Sequence, residues 1–142
     1  QYLETNQELI PTGKFLNVEN TGYDFRKPKL LSEGVQEIGG SFDNSWVIKK
    51  EVSDHKTLAA IVKEPVTKRI LTVYSTQPAL IMYTGGFLNN ELGKNGDVYN
   101  KFAGLCLESQ SFPDSLHQPH FPNTVIKPGE VYEHETLWHF AF

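Results

Sequence analysis

Apolar and β-branched residues fall in short runs separated by turn formers, which is the pattern of strands rather than helices. Residues 57–63 ("TLAAIVK") and 69–75 ("RILTVYS") are two such runs, joined by the hairpin-like "EPVT". Residues 79–84 ("ALIMYT") follow Pro78 and stop at Gly85-Gly86. Residues 131–140 ("VYEHETLWHF") alternate: Tyr132, His134, Thr136, Trp138 and Phe140 share one side, and Glu133, Glu135 and His139 the other. That period of two predicts a half-buried antiparallel strand. The preceding "KPGE" supplies a turn with proline at its second position. Residues 102–114 ("FAGLCLESQSFPD") read as a buried strand with one acid, Glu108, near its centre.

Helical periodicity is absent, and 11 Gly and 8 Pro punctuate the chain at short intervals. Residues 85–100 read as a loop with a turn at Asn95-Gly96, and the three prolines of residues 112–123 predict irregular backbone. The expected class is therefore all-β, an antiparallel sandwich or barrel. At about 8–12 residues per strand and turn, seven or eight strands fit. Long loops take much of the remaining length, so the sheet is expected to need covering from outside this chain.

The totals narrow the function. A length of 142 residues suits one domain. Thirteen Lys and Arg against 17 Asp and Glu give a net charge of -4, with the basic residues scattered. No electrostatic footprint for a nucleic acid results. No apolar run approaches the ~20 residues of a bilayer span, so no membrane partner is expected. Cys106 is the only cysteine, which excludes an intrachain disulfide and points to a reducing, cytoplasmic setting. Its apolar neighbours predict a small buried hydrophobe. The chain opens on Gln1 with no methionine and no secretory pattern, as expected of a mature fragment, a trimmed chain or one piece of a larger protein.

Two acids are the candidates for chemistry. Burial of Glu108 would remove solvation from its charged form and raise its pKa unless donors compensate. Two readings fit: a structural buried acid, or a general base on the floor of a pocket. Asp43, in "GGSFDNSWVI", sits beside Phe42 and Trp46 at a strand entrance. Aromatic faces beside a carboxylate suit sugar binding, while an Asx-turn that starts a strand is the plainer alternative. His117 and His120 stand three apart, but Pro119 lies between them and no helix aligns them, so packing on aromatics is favoured over a metal site. His134 and His139 face opposite ways, and His55 lies in a polar turn. There is no G-x-S-x-G, no G-x-G-x-x-G and no P-loop. "YTGGFL" reads as a chain reversal that brings backbone close to a neighbour or ligand.

Three segments together resemble the aldose 1-epimerase (galactose mutarotase) family: "LIPTGKFLNVENTGYDFRKPK", "FDNSW", and the long block from "STQPALIMYTGGFL" through "GLCLESQSFPD" to "KPGEVYEHETLWHF". The resemblance runs essentially from Gln1 to Phe142. It implies a β-sandwich of the galactose mutarotase type, of which residues 1–142 form the C-terminal part, with no cofactor and no metal. It implies interconversion of α and β anomers of free hexoses such as galactose and glucose, Glu108 as general base and Asp43 as a sugar-binding residue. It also implies a partner, the N-terminal part of the same protein, fused or as a separate chain, carrying the acid histidine. None of the five histidines here matches the family's two site histidines, and this chain alone is expected to be inactive. In some yeasts the family is fused behind a UDP-galactose 4-epimerase domain. Ile81 stands at the usual sugar-binding glutamine, Met82 at the usual aromatic, and Asn44 where a histidine often follows the aspartate. These departures keep a non-catalytic carbohydrate-binding or regulatory relative as the alternative. A phosphorylated hexose would need an arginine cluster, and the chain has only Arg26 and Arg69.

Overall fold

The computed structural model describes residues 1–49 and 56–142; His55 lies outside the described residues. The strands in chain order are β1 (Tyr2–Thr5), β2 (Pro11–Leu16), β3 (Asp43–Val47), β4 (Thr57–Lys63), β5 (Ile70–Ser75), β6 (Ala79–Tyr83), β7 (Glu91–Leu92), β8 (Val98–Tyr99), β9 (Cys106–Gln110) and β10 (Thr136–Ala141). One helix, α1 (Leu31–Ile38), precedes β3. A five-stranded sheet runs β2-β1-β3-β6-β9, a three-stranded sheet β10-β5-β4, and β7 and β8 form a small hairpin. The class is mostly antiparallel β, as expected from the alternation, with one α-helix among the described residues that the alternation did not predict. Two compact units divide the chain: residues 1–46 with 81–108, and residues 47–80 with 109–142.

The first unit is built around an aromatic cluster. Phe42 is fully buried. Its ring meets Tyr23, Phe25 and Trp46 edge-on at centroid distances of 5.6, 5.4 and 5.7 Å. Tyr2 stacks on Tyr23 at 4.1 Å, and the Trp46 indole Nε1 donates to the Tyr23 carbonyl at 2.9 Å. Helix α1 packs here through Gly34, where a Cβ would meet the Phe42 and Phe25 rings at 2.9 and 3.0 Å. Gly39, left-handed at φ 65°, ends the helix, and the Gly39 and Gly40 amides donate to the Gln36 and Val35 carbonyls. This is the paired closure that glycine favours after a last helical turn. The reading without helices missed α1 because eight residues show one apolar repeat only, Leu31, Val35 and Ile38.

In the second unit β4 and β10 flank β5 antiparallel, with Val73 of β5 fully buried. A bulge between Leu58 and Ala60 leaves Ala59 as an extra residue, so Leu58 pairs with Tyr74 and Ile61 with Thr72. Leu58 and Ile61 thereby share one face, although strict alternation would separate them. Leu137 joins them opposite Tyr74, and all three are exposed. The other face exposes Trp138 (45%) and Phe140 (69%), so the strand expected to be half-buried is an edge strand with open apolar groups. It is also shorter than expected, starting at Thr136. Residues 131–135 lie beyond the end of β5, held by one backbone bond from the Thr76 amide to the Glu135 carbonyl at 3.1 Å and otherwise by side chains. His134 bridges the Thr76 and Thr136 hydroxyls at 3.0 Å each, and Gln77 Nε2 donates to the Tyr132 hydroxyl at 2.5 Å.

The β9 run departs from the expectation of a buried strand. Leu107 is buried, while Glu108 and Cys106 are exposed on the alternate positions. The Cys106 thiol is thus no core hydrophobe. Asn95 and Gly96, both at positive φ, make the expected turn, here between β7 and β8. Among the described residues no helix is long and apolar enough to cross a membrane.

Gly34 offers a sign contest. Alanine in a helix interior gains about 1 kcal/mol over glycine, but overpacking a filled site costs about 1–3 kcal/mol. A Cβ here would press on the Gly22 carbonyl at 2.9 Å as well as on the two rings. Gly34→Ala is therefore expected to destabilise by about 1 kcal/mol net. Gly40→Ala, with nothing within 4 Å of its Cβ, is expected to be close to neutral. Denaturant midpoints of the two variants check the contrast.

Candidate functional site

The end of β3 is fixed by its neighbour. The Phe42 amide donates to Thr84 Oγ1 at 3.0 Å, and the Thr84 amide donates to the Phe42 carbonyl at 3.0 Å. The Thr84 hydroxyl adds a 3.3 Å bond to the same carbonyl. Both residues are buried, and a buried polar group left unpaired costs about 1–3 kcal/mol, so this register resists slipping. Asp43 follows Phe42 directly and alternates to the opposite side of the strand. On the other side of the junction, Thr84 leads into Gly85 and Gly86, both buried.

Asp43 is half-buried, and burial pushes its carboxyl above its ordinary range. Among the described residues no cation offsets that desolvation. Two residues on, Ser45 is 4% exposed and its hydroxyl has no hydrogen-bond partner among the described residues. Glu108 sits on β9, with β6 between it and the Asp43 strand in the sheet order. Neighbouring strands lie about 4.8 Å apart, which puts the two acid-bearing strands about 10 Å apart. Both acids belong to the same compact unit. The desolvation argued for Glu108 from sequence does not hold in this chain, because its side chain is exposed. Ile81 occupies the middle of β6 and is half-buried.

The histidines are placed elsewhere. His117 bonds through Nδ1 to Asp114 Oδ1, which holds the Asp114 carboxyl below its usual range. His120 packs edge-on against Phe121 at 4.6 Å, the aromatic contact expected for this loop. His134 belongs to the Thr76–Thr136 bridge, and His139 is exposed on β10. Among the described residues no group of three or more His, Cys, Asp or Glu could hold a metal ion. Arg26 is committed to Asp24 at 2.7 Å and to Glu19 at 3.7 Å, which holds the Asp24 carboxyl down at about 2. Arg69 lies at the far end of the β4–β5 hairpin in the other unit, so the phosphate reading gains no arginine cluster.

A cavity of about 580 Å³ lies in the first unit, lined mainly by apolar groups of Leu31, Val35, Phe102 and Leu105, with Thr84 and Gln36. Its lining includes neither Asp43 nor Glu108. Sequence reasoning missed Ser41 and Thr84, the two hydroxyl residues at the β3–β6 junction. The available signal was "YTGG": paired glycines directly after a strand mark a place where something approaches closely.

Comparisons with known proteins fit this geometry. The family model for aldose 1-epimerase matches residues 1–139. A galactose mutarotase of Mus musculus is 46% identical over 143 residues, covering 99% of this chain and 41% of that protein. The galactose mutarotase of Homo sapiens is 42% identical, with the same coverage. An aldose 1-epimerase of Escherichia coli is 32% identical, covering 99% of this chain and 42% of that protein. A crystal structure of an aldose epimerase homologue from C. elegans superposes with a TM-score of 0.90 at 27% identity, over 99% of this chain and 42% of that one. The chain thus spans about two fifths of the length of the relatives it matches. With a family match over nearly its whole length, this chain belongs to the aldose 1-epimerase family.

Proposed function

We propose that this chain supplies the general base and a sugar-binding carboxylate to a mutarotase acting on free hexoses such as galactose and glucose. The observation that carries the reading is Glu108: in a chain of this family, its exposed carboxylate has no hydrogen-bond or ion-pair partner among the described residues and lies on β9, in the unit that holds Asp43. Asp43 accepts hydrogen bonds from sugar hydroxyls. Glu108 removes the proton from the C1 hydroxyl while an acid histidine from the remainder of the protein protonates the ring oxygen. The C1–ring oxygen bond breaks, giving the open aldehyde. Rotation about C1–C2 and closure on the opposite face then invert C1. A positioned base and acid contribute about 10²–10⁴-fold each. No cofactor is needed, because no electrons or groups leave the sugar.

The partner in this reading is the portion that the relatives carry beyond the matched two fifths, whether fused or separate. It is also the occupant proposed for the open apolar faces of the β10-β5-β4 sheet. Without it the chain holds a base and no acid, and is inactive. The exposed, unpaired Cys106 fits a reducing, cytoplasmic setting. Ile81 favours a second reading, a carbohydrate-binding relative without turnover, because a side chain without donors leaves a sugar hydroxyl unpaired at a cost of about 1 kcal/mol.

A polarimetric time course on fresh α-galactose separates the two readings, with residues 1–142 joined to the remainder of the protein. Glu108→Gln is expected to slow mutarotation by about 10²–10⁴-fold while sugar binding persists; an unchanged rate removes Glu108 from the mechanism.

Asp43 trades stability for binding. Its raised folded pKa means that the folded state holds the proton more tightly than the unfolded state does. Stability is therefore lost as pH climbs from the ordinary value of 3.8 through the folded value. Asp43→Asn carries no such penalty. It is expected to be more stable than the parent at neutral pH, with the gain shrinking in acid, and to bind sugar about 1 kcal/mol more weakly. Denaturation at the two pH values and calorimetric titration with galactose measure both arms, and equal stability at neutral pH would refute the desolvation account.

A further inference from the structure

We propose that Ser41 is a second sugar-contacting residue, exchanging a hydrogen bond with a pyranose hydroxyl next to the one held by Asp43. Gly86, in turn, is glycine because the Ser41 side chain fills the space its Cβ would need. The inference rests on the sugar site read above and adds a determinant of which hexose it accepts.

The placement follows from the junction of β3 and β6. Hydrogen bonds between Phe42 and Thr84 fix the backbone on both sides. Ser41 and Asp43 flank Phe42 and so project to the same side, about 7 Å apart along an extended chain. A Cβ built on Gly86 falls on the Ser41 Oγ and Cβ, so the two residues compete for one volume. The neighbouring glycine has a different reason for its identity: Gly85 adopts φ 71°, which a side chain would strain.

The Ser41 Oγ and Cβ both pack where a Gly86 Cβ would lie. Packing alone does not call for a polar atom there, yet the chain carries one. That atom makes no hydrogen bond to protein among the described residues. Ser45, on the same side beyond Asp43, also has an unpartnered hydroxyl, but at 4% exposure no ligand reaches it. Ser41 is half-buried, open enough to meet a sugar and enclosed enough for the bond to count. Hydroxyl, carboxyl and glycine backbone thus line one short stretch at the β3–β6 end. A hydroxyl both donates and accepts, which suits the hydroxyl of a hexose.

The test uses residues 1–142 joined to the remainder of the protein, with galactose, glucose and a set of monodeoxygalactoses. Ser41→Ala keeps the Cβ beside Gly86 and deletes the hydroxyl. The expected result is a weakening of sugar binding by about two- to tenfold, read in KM rather than kcat. The weakening should vanish for the one deoxy sugar that lacks the contacted hydroxyl. Gly86→Ala should destabilise the fold, and adding Ser41→Gly should restore it, because the double variant returns the shared volume. Equal KM and affinity for every sugar in the Ser41→Ala protein overturns the proposal. A parent that binds sugar in a Ser41-dependent way but does not turn it over sinks the epimerase reading and keeps this one. A parent that neither turns over nor binds sugar overturns both.

Discussion

Everything in the first unit is referred to Phe42. Its ring is fully buried among Tyr23, Phe25 and Trp46, and its amide and carbonyl are both tied to Thr84. Burying such a ring contributes about 1.5–3 kcal/mol, and the backbone ties add the cost of leaving two buried polar groups unpaired. Helix α1 can approach only because residue 34 has no side chain to meet that ring. The same anchoring removes freedom from residues 41 and 43. In the proposed reading the Asp43 carboxyl meets a sugar in one orientation, which a fixed strand end serves better than a mobile loop, and the core of the unit provides the fixing.

The other unit shows a different economy. Its three-stranded sheet carries apolar groups on both faces: Leu58, Ile61 and Leu137 on one, Trp138 and Phe140 on the other. Completing the burial of these five half-open side chains would contribute on the order of 5 kcal/mol. That is comparable to the whole net stability of an ordinary domain, about 5–15 kcal/mol. In the proposed reading, a sheet with two apolar faces is a layer that the remainder of the protein covers. The coverage of the relatives, near two fifths of their length, agrees with that. In the proposed reading, the remainder of the protein supplies both the missing layer and the acid histidine, so stability and catalysis are completed together.

Strand content was legible from alternation where the chain alternates. Residues 57–63 were read to the residue, and β5 and β6 to within one. Elements too short to show a period were not. Helix α1 spans two turns, and β1 and β2 break their pattern with a register shift and with Pro11 and Gly13. Pro11 is tolerated as the first residue of an edge strand, which reads as a turn in sequence. The Leu58–Ile61 face depended on a bulge that no local pattern announces. The β10 start was overestimated because alternation persists through residues 131–135 after the partner strand has ended. Asp43 and Glu108 stand out in sequence as acids beside aromatic and apolar residues, but the roles proposed for them rest on the resemblance. Their residue types and neighbours fit structural roles equally well, and the Ser41–Gly86 contact required backbone positions.

Glu108 shows what the chain contributes and what it leaves to be completed. The expectation of a buried acid came from apolar neighbours in sequence, but neighbours along a strand face the opposite way. Leu107 takes the core, and Glu108 takes the open side. An exposed carboxylate is a poor place for proton transfer from a hemiacetal, since water competes for its lone pairs and screens its charge. Covering the open side removes that water, and desolvation is the lever that makes a carboxylate a stronger proton acceptor. In the proposed reading, the remainder of the protein covers the open side of β9 as well, and that covering is what activates the base. On the same reading, the base acts only once the acid histidine stands beside it.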